Sequence, residues 1–122
     1  MKQDSRPINV GMSDLMSFKW PITAIASISH RIAGAALFVG VAVFLFAVDM
    51  SLTSEVGFET LKATISSPLG KLITWVFLSA LVYHLIAGVK HLVMDMGIGE
   101  TLEGGVLAAR LTLLCSASLI FI

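Results

Sequence analysis

The chain has 122 residues, of which 57% are hydrophobic and only 13% are charged, and its mean hydropathy is +0.93. Soluble domains devote about a quarter of their residues to charged types, so this composition excludes an ordinary soluble domain and indicates an integral membrane protein. Eight basic and eight acidic residues give a formal net charge of zero, so no basic surplus points to a nucleic-acid partner.

The N-terminal segment, residues 1–21, is polar and carries both charge signs. It begins MKQDSRPINV. It lacks the apolar run of a secretory signal and the Arg- and Ser-rich, acid-poor composition of an organelle transit peptide. We therefore expect the membrane signal to belong to the mature protein, and a bacterial inner membrane to be its location.

Three long apolar runs follow this segment. The first two have no charged residue over 32–48 and 72–89, and the third, 104–122, contains only Arg110. A helix needs about 20 mostly apolar residues to span the hydrocarbon core, and none of the runs alternates as a β-barrel strand would. We predict an all-α fold of one domain, with transmembrane helices at about 22–49, 68–96 and 103–122.

Residues typical of helix ends border these runs. Ser67 followed by Pro68 is typical of the start of helix 2, because serine caps a helix and proline fits its first turn. Gly97 is suited to end helix 2, and Thr101 can cap helix 3. The apolar residues within 56–65 predict a short interfacial helix between helices 1 and 2.

The distribution of Lys and Arg predicts the orientation of the chain. Four of the eight lie in the segment that ends at Arg31, whereas the first loop holds only Lys62 and Lys71. Basic residues are retained on the cytoplasmic side of membranes. The N-terminus and the second loop are therefore expected in the cytoplasm.

Polar residues collect near the cytoplasmic ends of helices 1 and 2. They are Ser27, His30, Arg31, His84 and His91. With a rise of about 1.5 Å per residue, His84 lies roughly 9 Å inside the edge marked by Lys90, deeper than the other two histidines. Ionisable groups inside a membrane are costly, so each is a candidate functional residue.

The histidines are candidates for haem binding. Imidazole is a common axial ligand of haem iron, and Gly88, one turn after His84, would leave clearance for a flat macrocycle. The alternative for His84 is a histidine hydrogen-bonded to a neighbouring helix. His30, His91 and Arg31 are suited to haem propionates, although Arg31 could equally be a basic residue that reaches the interface.

Ser27 and Arg31, one helical turn apart, are candidates for a quinone site. A quinone presents carbonyl oxygens on an apolar ring, and a hydroxyl and a guanidinium are suitable hydrogen-bond donors. The alternative for Ser27 is a small packing residue bonded to its own backbone.

Two stretches resemble the signatures of the cytochrome b subunits of succinate dehydrogenase. The first joins Arg6-Pro7 to Ser27-Ile28-Ser29-His30-Arg31, and the second is HLIAGVKHLVMDMG, which begins at His84. Both occur in order on the first two of three helices. The chain departs from the usual pattern at Ala33, where Ser or Thr is common, and at Lys90, where Arg is common.

The resemblance implies a membrane anchor of respiratory complex II. It implies that His84 ligates haem b, with the second axial histidine supplied by a second membrane-anchor subunit, and no other histidine here is expected at the depth of His84. It implies that Ser27 and Arg31 help to bind ubiquinone near the iron–sulfur subunit, which works with a flavoprotein subunit. His30, Arg31 and His91 would lie on the propionate side.

Two other functions remain open on the sequence. The anchor of a quinol-oxidising fumarate reductase uses similar parts in reverse. A non-redox transporter or assembly subunit could also use intramembrane His and Arg residues. A reducible b-type haem band in the solubilised complex would separate the redox functions from the last of these.

Overall fold

Residues 11–121, which the computed structural model describes, form five helices and contain no strand. In chain order they are α1 (Met12–Ser17), α2 (Ile22–Thr53), α3 (Glu55–Ser66), α4 (Pro68–Asp95) and α5 (Leu102–Ile120). Helices α2, α4 and α5 are long and apolar enough to cross a membrane. The predicted all-α membrane fold with three crossings is confirmed, and so is a helix between the first two crossings.

Side-chain caps set the starts of three helices. Ser54 Oγ accepts a hydrogen bond from the Gly57 amide at 3.0 Å and starts α3. Ser67 Oγ accepts from the Gly70 amide at 3.0 Å, with proline at the first turn of α4. Thr101 caps α5 by accepting from the amide of its third helical residue at 3.1 Å. The predicted caps at Ser67 and Thr101 are therefore confirmed.

Two elements differ from the sequence prediction. Helix α2 continues to Thr53 instead of ending at about residue 49, because Ser54 and not the first charge stops it. Helix α1 was not expected. The Trp20 indole N–H donates to the Leu15 carbonyl at 3.1 Å, which folds the chain between α1 and α2 back onto the short helix.

The three long helices pack against one another through small residues. The buried residues are Ala26, Ala33, Leu37, Ala87, Gly105, Ala109, Thr112 and Ser116. Among residues 11–121 no large side chain is fully buried. Small contact residues allow helix backbones to approach closely, which is how membrane helices gain packing energy.

Large apolar side chains cover the outside of the bundle. Phe38 is 82% exposed and Leu85 is 65% exposed, the reverse of a soluble core. Helices α2 and α4 have lengths of about 48 and 42 Å, more than the roughly 30 Å hydrocarbon core of a bilayer. The bundle is therefore a multi-pass membrane protein with apolar surface left for lipid or other membrane helices.

The antiparallel arrangement brings the polar residues to one end of the bundle, which we call the histidine end. It comprises the start of α2, the second half of α4 and the start of α5. A Cβ added at Gly105 would lie 3.9 Å from Thr23 Cγ2 and 4.0 Å from Met94 Cε, so the three helices converge there. Helix α3 lies at the opposite end, where α2 passes into α4.

Candidate functional site

All three histidines of the chain meet at the histidine end and form one cluster. The rings of His30 and His84 are stacked, with centroids 4.1 Å apart and planes inclined by 16°. The rings of His30 and His91 are 5.1 Å apart and tilted by 47°. His30, on α2, therefore lies against both histidines of α4, and we call the three residues the histidine cluster.

The depth predicted for His84 relative to His30 is wrong. Counting residues from Lys90 and from Arg31 placed His84 well below His30, yet the centroids of the two rings are only 4.1 Å apart. This estimate of depth treated the two helices separately and took a charged residue, Lys90 or Arg31, as the membrane edge of each helix. The axial offset between α2 and α4 is instead set by packing between their small residues, including Ala26 and Ala87.

One ring nitrogen of His84 is held by α2. Nδ1 lies 3.2 Å from the backbone carbonyl oxygen of His30. A carbonyl can only accept, so Nδ1 carries a proton, and in the neutral imidazole Nε2 keeps its lone pair. The alternative expected for His84, a hydrogen bond to a neighbouring helix, is thus confirmed for Nδ1. The same bond is the one that metal-binding histidines commonly make through their second nitrogen, so it is compatible with a ligand role for Nε2.

Gly34 makes room for the His84 ring and was not among the predicted site residues. A Cβ at Gly34 would lie 2.8 Å from His84 Cε1 and 3.4 Å from Nδ1. The imidazole therefore rests directly on the backbone of α2. The sequence did contain one indication, because Gly34 lies seven residues after Ser27 and therefore on the same face of the helix.

The surface of α4 at Gly88 is open apart from the tip of one histidine. An added Cβ would have only His30 Nε2 within 4 Å, at 3.8 Å. His30 Nε2 is buried and has no hydrogen-bond partner among residues 11–121. A buried polar atom without a partner costs about 1–3 kcal/mol, so a polar group of a ligand or partner at this point would be favourable.

Ser27 and Arg31 lie on α2 beside the histidine cluster. Ser27 is half-buried, and Arg31, which directly follows His30, is exposed. Within residues 11–121 the one ion pair joins Lys62 and Glu59, at 3.5 Å on α3, so the Arg31 guanidinium has no carboxylate partner there. The structure therefore brings both candidate quinone residues to the histidine end. The Arg6-Pro7 part of the first signature lies outside the described residues.

Tyr83 forms a second hydrogen bond between α4 and α2. Its hydroxyl donates to the backbone carbonyl of Ala26 at 2.9 Å. Tyr83 was not among the candidate site residues. The signal available was its position directly before His84, which is too general to predict a partner 57 residues away.

The histidine cluster is not a self-contained metal site. Among residues 11–121 no group of three or more His, Cys, Asp or Glu side chains is arranged to hold a metal ion. A single imidazole nitrogen in an apolar helix bundle, by contrast, is compatible with a haem, whose macrocycle supplies most of the ligands of its iron.

The fold and the histidine cluster define a small multi-pass membrane protein with its three histidines gathered at one end of the bundle. Residues 4–122 match the family described as succinate dehydrogenase/fumarate reductase transmembrane subunit. The chain belongs to this family, and the resemblance of its two signatures to the cytochrome b subunits of succinate dehydrogenase is confirmed.

Individual relatives agree with this assignment. The chain is 36% identical over 105 residues to the succinate dehydrogenase cytochrome b556 subunit of Coxiella burnetii, covering 85% of this chain and 82% of that protein. It is 33% identical over 103 residues to the cytochrome b556 subunit of Paracoccus denitrificans, covering 84% and 77%. It is 32% identical over 108 residues to the mitochondrial cytochrome b560 subunit of Sus scrofa, covering 84% and 64%.

Proposed function

We propose that this chain is the haem b-binding membrane-anchor subunit of a succinate:quinone oxidoreductase and forms part of its ubiquinone-reduction site. The observation that carries the proposal is the bond between His84 Nδ1 and the His30 carbonyl, which leaves Nε2 with a lone pair inside a membrane bundle. The cytochrome b names of the relatives support haem b as the cofactor.

His84 is the residue that would hold the haem iron, through Nε2. Haem b, when bound, supplies reversible one-electron chemistry. The contribution of this chain is to hold the imidazole in one tautomer and one orientation, through the His30 carbonyl and the close approach of Gly34. The parallel rings of His30 and His84, in contact at 4.1 Å, leave no room for a macrocycle between them. A second membrane-anchor subunit would therefore supply the other protein ligand of the iron.

His30, Arg31 and His91 are proposed to face the haem propionates, and Gly88 to give the macrocycle clearance. The unpartnered Nε2 of His30 can hydrogen-bond a carboxylate. The Arg31 guanidinium offers a planar pair of donors that matches a carboxylate in two bonds. Gly88 presents no side chain to the same surface, so a flat ring can approach the backbone of α4.

Ser27 and Arg31 are proposed to bind the quinone. Reduction of a quinone to a quinol takes two electrons and two protons, and negative charge develops on the carbonyl oxygens as electrons arrive. A hydroxyl and a guanidinium directed at those oxygens stabilise this charge in a low-dielectric site. Electrons come from succinate through the flavoprotein subunit and the iron–sulfur subunit, and this chain supplies no acid pair or nucleophile of its own.

The proposed location is a bacterial inner membrane with the N-terminus in the cytoplasm. The histidine end would then face the cytoplasm, where the iron–sulfur subunit and the flavoprotein subunit dock. The exposed apolar side chains of α2 and α4 are suited to a second membrane anchor as well as to lipid. The three succinate dehydrogenase relatives favour succinate oxidation, although the family description also includes fumarate reductase.

The proposal is tested by purifying the chain with its partners, identifying the copurifying subunits, and assaying succinate-driven reduction of a short-chain ubiquinone. We expect a reducible b-type haem band and quinone reduction. Arg31→Lys keeps the charge but loses the two-bond geometry, so it should raise the KM for quinone about tenfold. Arg110→Lys, an exposed arginine of α5, is the matched control and should leave the KM unchanged. A complex with neither haem nor succinate-dependent quinone reduction contradicts the proposal.

A further inference from the structure

We infer that Tyr83 is a positioning residue for the quinone site, because its hydroxyl holds the turn of α2 that carries Ser27. The inference rests on the proposed quinone role of Ser27 and Arg31. Tyr83 Oη donates to the Ala26 carbonyl at 2.9 Å, across the contact between α4 and α2. Tyr83 does not touch the quinone in this account. It acts through the α2 backbone that directly precedes Ser27.

Two consecutive residues of α4 are bonded to α2 in a matched way. Tyr83 binds the carbonyl of Ala26, and His84 binds the carbonyl of His30, four residues later. The first carbonyl belongs to the peptide group that leads into Ser27. The second belongs to the peptide group that leads into Arg31. The backbone carbonyl directly before each proposed quinone-binding residue is therefore hydrogen-bonded to a side chain of α4.

The surroundings make the bond from Tyr83 an effective constraint. Ala26 is 2% exposed and Ala87, one turn after Tyr83, is 1% exposed, so the contact between the helices is tight there. Water does not compete for the carbonyl in such a contact. A shift of about 1 Å in a binding group is enough to impair a reaction that depends on orientation. Loss of the hydroxyl would free the Ser27 turn to move relative to α4.

The simpler role for Tyr83 is packing, and the two roles differ in what the loss of the hydroxyl changes. Tyr83→Phe keeps the ring and removes one hydrogen bond. A residue that only packs would change the stability or the amount of the complex and leave the kinetics of quinone reduction alone. A positioning residue would change the KM for quinone while haem content and kcat stay nearly constant.

The experiment measures succinate-driven reduction of a short-chain ubiquinone by the assembled complex. For Tyr83→Phe we expect the KM for quinone to rise about three- to tenfold, the size of one hydrogen bond in a membrane bundle, with kcat within about twofold. The haem spectrum and the reduction of a soluble artificial acceptor by succinate should not change. Ser118→Ala, which removes a hydroxyl bonded to the Leu114 carbonyl at 2.8 Å on α5, is the matched control.

A double-mutant cycle separates action through Ser27 from an independent effect. If Tyr83 acts through Ser27, the double variant Ser27→Ala with Tyr83→Phe should have a KM no higher than Ser27→Ala alone. If the increases in KM caused by the two single substitutions multiply in the double variant, the inference is overturned. An unchanged KM in Tyr83→Phe would also overturn it, as would failure of that variant to assemble while Ser118→Ala assembles normally.

Variants of Ser27 and Arg31 separate an error in the quinone site from an error in the role of Tyr83. If Ser27→Ala and Arg31→Lys both leave the KM for quinone unchanged, the quinone site itself has been misplaced. If they raise the KM and Tyr83→Phe does not, the site stands and only the role of Tyr83 is wrong.

Discussion

At the scale of single residues, His84 is held on two sides by the backbone of α2. Its Nδ1 lies 3.2 Å from the His30 carbonyl, and Gly34 leaves just enough space for its ring. Membrane helices seldom place three histidines in contact, because each ring nitrogen needs a partner that lipid cannot supply. The contacts therefore explain how the bundle accommodates an imidazole and why only one of its nitrogens stays available.

A substitution at Gly34 should disturb His84 specifically. In Gly34→Ala the new methyl group would lie 2.8 Å from His84 Cε1, so the ring must move and weaken its bond to the His30 carbonyl. We expect the free energy of unfolding to fall by about 1–3 kcal/mol and the haem content per assembled complex to fall as well. Haem content is measured from the reduced-minus-oxidised spectrum.

Gly40→Ala is the matched control for this prediction. Its methyl group would lie 2.5 Å from Phe77 Cε2, a comparable clash between the same two helices but away from the histidine cluster. It should lower stability to a similar extent and leave the haem band per assembled complex unchanged. Equal haem loss in both variants would mean that Gly34 acts through general packing.

The sequence predicted which residues gather at the histidine end, but not how they touch. The identities and helices of His30, His84 and His91 follow from spacing and charge. The stacking of His30 on His84 does not, because it depends on the offset between α2 and α4. That offset results from the fit of many small residues, and no single residue in the sequence encodes it.

At the scale of elements, α5 presents a narrow buried stripe to the other two crossing helices. Ala109 is 0% exposed, and Gly105, Thr112 and Ser116 are buried on the same face. Small residues at this spacing let α5 approach α2 and α4 closely. The apolar outer face of α5 carries larger side chains such as Leu114, which is 65% exposed.

A larger residue at Ala109 should push α5 away from the bundle. Ala109→Leu adds three carbons where there is no free surface, and overpacking of this kind costs about 1–3 kcal/mol. We expect a lower unfolding temperature of the purified complex. Ala117→Leu, on the exposed side of α5, is the control and should cost much less. Equal effects at the two positions would contradict the assigned buried face.

The helix ends show which structural features could be predicted from the sequence and which could not. Capping residues such as Ser67 and Thr101 form local hydrogen bonds, so they were predictable. The end of α2 was predicted too early. A charge-free run indicates which residues lie in the hydrocarbon core, whereas the helix continues beyond that core until Ser54. Helix α1 was missed because it is six residues long and depends partly on the contact of Trp20 with Leu15.

At the scale of the whole molecule, the bundle has more apolar surface than it can bury. Most large apolar side chains of the described residues face outward, and the contacts between helices consist mainly of small residues. The histidine cluster lies at one end, and α3 lies at the other. The two ends of the bundle therefore differ. The basic residues near the N-terminus predict that the histidine end lies on the cytoplasmic side of the membrane.

The orientation can be measured by labelling single cysteines in intact membranes. Cys115→Ser removes the only native cysteine. In that background Ser13→Cys and Glu100→Cys should react with an impermeant thiol reagent only from the cytoplasmic side. Glu59→Cys, on α3, should react only from the opposite side. The reverse pattern would contradict the proposed orientation while leaving the fold unaffected.

The redox spectrum of the assembled complex carrying His84→Leu tests the central claim most directly. We expect this variant to lose or shift its b-type haem band, because the only imidazole nitrogen proposed to bind iron from this chain is removed. His91→Leu is the control and should keep an iron-ligated band, since His91 is assigned to the propionate side. An unchanged haem spectrum in His84→Leu would show that His84 does not hold the haem iron.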